Sequence, residues 1–194
     1  MKTIKFFTIF FIFFLLNTTK SFSVIEVDIT RGNLNPLPIA VSPLSIDNAS
    51  KQNFEKILKK KNIGSEISSV IENNLKISGL FNPLNKDAFL QAPDIANLKP
   101  RFEDWNLIKA QALITGKVSF VNEKLRVEFR LWDVLAGKEM MALAFTTVPN
   151  NWRRVGHIIT DKVYERLTGE KGYFDTRIIY VAEEGPKTKR IKKL

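Results

Sequence analysis

Leu125-Arg126-Val127-Glu128-Phe129-Arg130-Leu131 lies in the middle of the stretch that decides the fold, Ala112 to Leu167. Apolar and charged residues alternate there, and a period of two is what a half-buried strand requires. Leu113 to Val121 before it and Glu139 to Thr147 after it have strand composition too. Asn122–Lys124 and Val134–Lys138, the second containing Gly137, form the turns. Pro149-Asn150-Asn151 then stops the sheet and caps a helix. Trp152, Val155, Ile159, Val163 and Leu167 fall on one stripe of that helix at a 3.6-residue period. A three-stranded meander is amphipathic, and the helix supplies the cover for its apolar face.

The chain has 194 residues, enough for about one domain plus extras. Met1–Lys5 is a short basic start, Phe6 to Leu16 an apolar run broken by Thr8, and Ser21-Phe22-Ser23 offers small residues for cleavage. Residues 1–23 therefore read as a secretory signal peptide. The alternative is a membrane anchor, but so short a run spans roughly 16 Å as a helix against a hydrocarbon core of about 30 Å. There is no cysteine, so disulfides, thiolate metal sites and a lipoprotein anchor are excluded. Net charge is +10, yet it is concentrated in the signal and the final eight residues, and the body between is close to balanced. That distribution argues against a nucleic-acid binder, which carries a basic face on the domain itself.

The exported chain begins near Val24. Val24-Ile25-Glu26-Val27-Asp28-Ile29-Thr30 alternates apolar and acidic residues and meets Arg31-Gly32. It is expected to be a short strand, either an ordinary first strand or one whose backbone pairs with a foreign sheet. Pro38 to Pro43 is a brief strand. Residues 44 to 61, rich in lysine, are expected to form a loop with a weak helical turn around Phe54–Leu58. Asn62 caps a helix bearing Ile63, Ile67, Val70 and Ile71, with Leu75 at its edge and Gly79 as its left-handed stop. Phe81–Leu84 is extended, Pro93 and Pro100 bracket an irregular connection, and Arg101 to Lys109 forms a short helix. The fold class is α/β: a two-layer mixed sheet with helices on one face. After Thr168-Gly169 and a short link, Thr176 to Ala182 is a new strand, Glu183–Pro186 a turn, and Lys189–Leu194 a partner strand. The expected domains are 24–172 and the start of a second, all-β domain at 173–194.

Little in the chain has catalytic form. The single histidine, His157, lies outside the apolar stripe and reads as a solvated or capping imidazole. No Gly-x-Ser-x-Gly elbow or glycine-rich phosphate cradle occurs. Glu103-Asp104 and Glu183-Glu184 are adjacent pairs whose side chains diverge. No metal site and no cofactor is expected, and an enzyme is disfavoured. Trp105, Trp132 and Trp152 leave a carbohydrate- or peptidoglycan-binding module as the alternative to a secreted adaptor.

Four strings go further: LTGEKGYFDTRIIYV at Leu167–Val181, PIAVSP at Pro38–Pro43, LKISGLF at Leu75–Phe81 and AQALITG at Ala110–Gly116. Together they resemble the TolB family of the bacterial Tol-Pal system across about 24–194. The resemblance implies a periplasmic adaptor that maintains outer-membrane integrity and invagination at cell division. It implies an N-terminal α/β domain followed by a β-propeller, of which this chain would hold the start of the first blade. It implies two partners: the lipoprotein Pal, bound by the propeller, and the C-terminal domain of TolA, bound by the exported N-terminal segment. By position that segment is Val24, Ile25, Glu26, Val27, Asp28, Ile29, Thr30 and Arg31. β-augmentation is the expected mechanism.

Overall fold

The computed structural model describes Ile25 and residues 35–177, 181–186 and 189–193. The expected signal peptide and the remainder of Val24–Arg31 lie outside the described residues. The elements are β1 (Leu37–Val41), β2 (Ser45–Ile46), α1 (Asn48–Leu58), α2 (Ile63–Ile77), β3 (Phe81–Pro83), α3 (Pro93–Leu98), α4 (Phe102–Leu107), β4 (Ala112–Val121), β5 (Lys124–Asp133), β6 (Lys138–Thr147), α5 (Trp152–Thr168), β7 (Ala182–Glu184) and β8 (Ile191–Lys193).

The first six strands form one mixed sheet in the order β3-β1-β4-β5-β6, with β2 also paired to β4. The meander is as read: β4–β5 and β5–β6 are antiparallel, with Phe129 opposite both Gly116 and Leu143. Asn122 and Glu123, both at positive φ, make the tight β4–β5 turn. β1 is no minor strand. It lies between β3 and β4, parallel to both.

α2 and α5 cover one sheet face. Their stripes are buried as expected, with Ile67, Ile71, Ile159, Val163 and Leu167 fully enclosed together with Ile39, Ile114, Val127 and Phe129. Leu75, read as an edge residue, is also fully buried. At their crossing the helices approach so closely that a Cβ on Gly156 would lie 2.8 Å from Val70 Cγ1. Asn62 caps α2 by accepting the Ser65 amide at 3.2 Å, and Gly79 stops the chain at φ 73°. Asn151 makes no side-chain cap, and Pro149–Asn151 instead forms a 3-10 turn ahead of α5.

Four expectations are corrected. The helices do not all lie on one face: α3 and α4 pack on the opposite side, where Ala40, Leu113 and Val134 meet Ala96, Trp105 and Ala110. The reason is that β1 and the first half of β4 are apolar at consecutive positions, as strands buried on both faces must be. The connection between Pro93 and Pro100 is accordingly helical. Buried Gln91 holds that cover in place: Oε1 accepts from the Arg101 amide and from Trp105 Nε1, while Nε2 donates to the Lys99 carbonyl.

Residues 48–58 form a full helix rather than a loop. Asp47 caps it by accepting the Ser50 amide at 2.8 Å, and Phe54 on its inner side is fully buried against Phe120. The Ser50 hydroxyl donates to Asp47 at 2.9 Å and accepts the Phe120 amide at 2.9 Å, so the cap also ties α1 to β4. In the expected Thr176–Ala182 strand, Thr176, Arg177 and Val181 are not in a strand; β7 runs Ala182–Glu184, paired antiparallel with β8, so Glu183 and Glu184 belong to it and not to the turn.

The two Ser50 hydrogen bonds hold the Asp47 carboxyl below its ordinary value. A depressed carboxylate stabilises the fold above the ordinary aspartate pKa of about 3.9, and that stability is lost as pH falls through the depressed value. Asp47→Ala should cost about 1 kcal/mol in urea unfolding between pH 5 and 7. The difference from wild type should shrink below about pH 4. A deficit that stays constant to pH 2 would refute the charged cap.

Candidate partner-binding surface

Of the eight residues expected to bind a partner, the described part contains Ile25 alone. Its side chain is half-buried and packs against the main hydrophobic core. The chain re-enters the described residues at Asn35 and passes directly into β1, within the parallel half of the sheet. The segment is thus attached to one of the most enclosed strands of the domain.

The sheet ends at β3 on one side and at β6 on the other. β3 has three residues, whereas β6 has ten. Met141, Leu143 and Phe145 line the helix side of β6. Phe145 stacks on Phe129 with ring centroids 6.2 Å apart, while Leu143 is 39% exposed. On the other face, Arg126 pairs with Glu128 at 2.9 Å and Arg130 with Glu139 at 3.3 Å. That face is solvated and held by ion pairs worth little individually.

The residues singled out for chemistry fall apart in space. Trp105 is enclosed in the second core and Trp152 in the first, on opposite sides of the sheet. Trp132 is half-buried, with Nε1 donating to Thr115 Oγ1 at 2.9 Å and its ring meeting Phe102 edge-on. The three indoles share no exposed platform, which removes the surface that the carbohydrate alternative requires. Glu183 pairs with Arg190, and Asp104 with Arg101. Among the described residues no group of three or more His, Asp or Glu side chains is arranged to hold a metal ion.

His157 departs from the expected solvated ring. It is half-buried, and its Nδ1 lies 2.8 Å from Asn74 Nδ2. An amide NH2 only donates, so Nδ1 accepts and the ring proton sits on Nε2. The same Asn74 nitrogen donates to Thr160 Oγ1 at 3.2 Å, and the Thr160 hydroxyl in turn donates to the Gly156 carbonyl at 2.8 Å. The imidazole is therefore part of a polar bridge between α2 and α5, beside the closest approach of the helices. Its spacing on α5 could not reveal this, because the partner sits 83 residues away.

One further carboxylate carries no signal in the sequence. Asp161, on α5, accepts the backbone amides of Phe174 at 2.7 Å and Asp175 at 3.0 Å. Helical spacing gave no signal for it, since both partners lie beyond the helix.

Comparison with known proteins adds the following. Residues 25–140 match the family described as the TolB amino-terminal domain. Over 184 residues the chain is 84% identical to the Tol-Pal system protein TolB of Pelagibacter ubique (strain HTCC1062), covering 95% of this chain and 41% of that relative. A crystal structure of TolB from Acinetobacter baumannii shares the fold, with a TM-score of 0.60 and 22% identity over 81% of this chain and 35% of that one. The chain therefore spans about two-fifths of the length of the curated relative that it matches.

The α2–α5 bridge can be checked by paired substitutions. Asn74→Ala leaves the buried Thr160 hydroxyl short of a donor and should cost about 1–3 kcal/mol in urea unfolding. His157→Ala exposes its site to water and should cost less than half as much. Equal losses would mean that the bridge is not what holds the two helices in register.

Proposed function

This chain belongs to the TolB amino-terminal domain family, and on that premise we propose that it acts as a periplasmic adaptor of the Tol-Pal system. Its role there is to link TolA and Pal in maintaining outer-membrane integrity and invagination during division. The observation that carries this reading is the 84% identity to a Tol-Pal system protein along 95% of the chain. The role is binding, not catalysis.

In this proposal residues 1–23 direct export and are removed. Residues 24–172 form the α/β domain, and 173–194 begin the first blade of a β-propeller, of which the β7–β8 hairpin is the opening pair. Val24 to Arg31 is the element offered to the TolA C-terminal domain. Alternation supports that use, because Val27 and Ile29 would share one side of an added strand with Ile25, while Glu26 and Asp28 take the other. Main-chain hydrogen bonds would supply the affinity, and the two acidic side chains would select a partner edge of opposite charge. The half-buried Ile25 adds a constraint: offering the whole segment requires withdrawing that side chain from the core. Withdrawal of one half-buried isoleucine costs about 1 kcal/mol, a small fraction of a typical binding free energy. Pal would be contacted by the propeller that follows.

Two variants of the processed chain test the proposal. Deleting Val24–Thr30 should abolish capture by the TolA C-terminal domain while far-UV circular dichroism stays native. Val27→Pro with Ile29→Pro keeps the length but removes two backbone donors, and capture should fall by at least about tenfold, the equivalent of one good hydrogen bond. Capture that survives both changes would sink the strand-donation mechanism.

A further inference from the structure

The connection after α5 reads by composition as a linker, with Gly169 and Gly172 flanking charged residues. The structure shows it bound along its length. Gly169, at φ 75°, turns the chain out of the helix, and Thr168 Oγ1 accepts the Glu170 amide at 3.1 Å. The chain then runs back along α5. The two oxygens of Asp161 each take one amide, Phe174 on Oδ1 and Asp175 on Oδ2. Seven residues earlier on the helix, and so on the same side, Arg154 grips the Asp175 carboxylate as a fork, with contacts of 3.0, 3.2 and 3.1 Å. Gly172 passes so close to Asp161 that a Cβ would collide with that residue's backbone and carboxylate. Tyr173 and Phe174 stack at 4.5 Å, and both meet the buried Tyr164 ring edge-on at 5.6 and 5.8 Å.

We infer that residues 169–175 are a rigid strap, docked on α5 through Asp161 and Arg154, that fixes the direction in which the chain leaves the α/β body. The chain from Thr176 onward is then carried as an extension of α5 and is not tethered loosely. Each part of the strap has a separate reason to stay. Charge-assisted bonds to the two amides hold its backbone, and such bonds are about twice as strong as neutral ones. The fork holds its end, and the half-exposed Tyr173 and half-buried Phe174 pack their rings on Tyr164. A pull or rotation applied beyond Asp175 is delivered to the middle of α5, a helix locked against α2 at Gly156. The inference does not depend on which partners the protein binds, so it stands or falls separately from the Tol-Pal role.

The test uses the 194-residue chain, with amide hydrogen exchange at Phe174 and Asp175 and tryptic cleavage of the Lys171–Gly172 bond. In the wild type both amides should be protected and the bond resistant. Asp161→Ala removes both acceptors. Gly172→Ala removes no hydrogen-bonding atom but pushes the strap off sterically. In each variant cleavage and exchange should accelerate by roughly tenfold or more, as expected when a charge-assisted hydrogen bond is lost, while β4 and β5 amides keep their protection. Glu66→Gln, which loosens a surface pair with Lys60 at the start of α2, should change neither readout. If Asp161→Ala unfolds the body, the Gly172→Ala result alone decides. Wild-type amides that exchange at unstructured-peptide rates, or protection that persists in the deciding variant, would overturn the strap.

Discussion

β4 is the strand on which the rest of the domain hangs. It takes parallel partners on one side, β1 and β2, and an antiparallel partner on the other, β5. It is therefore the line along which two kinds of ladder join. Its successive residues also serve different layers: Ala112, Ile114 and Val118 enter the core beneath α2 and α5, while Leu113 enters the core beneath α3 and α4. The steric condition at its centre is severe. Leu44 passes between Gly64 and Gly116, and a Cβ at either glycine would meet its atoms at less than van der Waals separation. Any side chain at Gly116 would also meet the Glu128 backbone. The parallel half can lie against the meander only because nothing projects there.

The parts of the fold that could be read in the sequence are those where one period acts alone. β5 alternates cleanly because one of its faces is solvated, and α5 shows its stripe because its other side is wet. α2 announces itself by cap, stripe and glycine stop. The parts that escaped are those where two requirements overlap. α1 exposes Lys51, Gln52, Glu55 and Lys56 and buries little besides Phe54 and Ser50. Its apolar signal is one residue deep, and its lysines resemble loop composition. α3 and α4 are six residues each, too short to display a helical period. Their existence follows from the second apolar face of β1 and β4, which only the sheet order makes visible. The end of β7 escapes because Glu183 and Glu184 look like turn residues, although Glu183 sits opposite Lys192 in the hairpin and pairs with Arg190.

The same distinction holds for individual side chains. The alternation of apolar and acidic residues at Val24–Thr30 is visible in the sequence because it is a local pattern. A carboxylate that acts by capping a distant backbone is not, and Asp161 is such a group. Nor can the sequence disclose that His157 is held by Asn74 across a helix pair. In both cases the chemistry belongs to a contact between elements, and sequence spacing carries information only within one element.

These contacts make the domain a stiff body between two attachments. The N-terminal segment enters at β1, and the chain leaves through the strap on α5. Between them the packing is continuous: Phe81 of β3, beside β1, lies edge-on to Tyr164 at 6.2 Å, and Tyr164 in turn meets Phe174 of the strap. Closely packed interiors of this kind deform little and transmit displacement. A soft linker after α5 would let the chain beyond Asp175 turn without moving α5. The Asp161 and Arg154 contacts remove that freedom, so a change in the direction of that chain has to be taken up by α5, by the α2–α5 contact at Gly156, or by release of the strap itself. Two hydrogen bonds to amides, one ion pair and the ring contacts on Tyr164 share that hold, so the docking of the strap on α5 is the point that sets how strongly the two attachments are coupled.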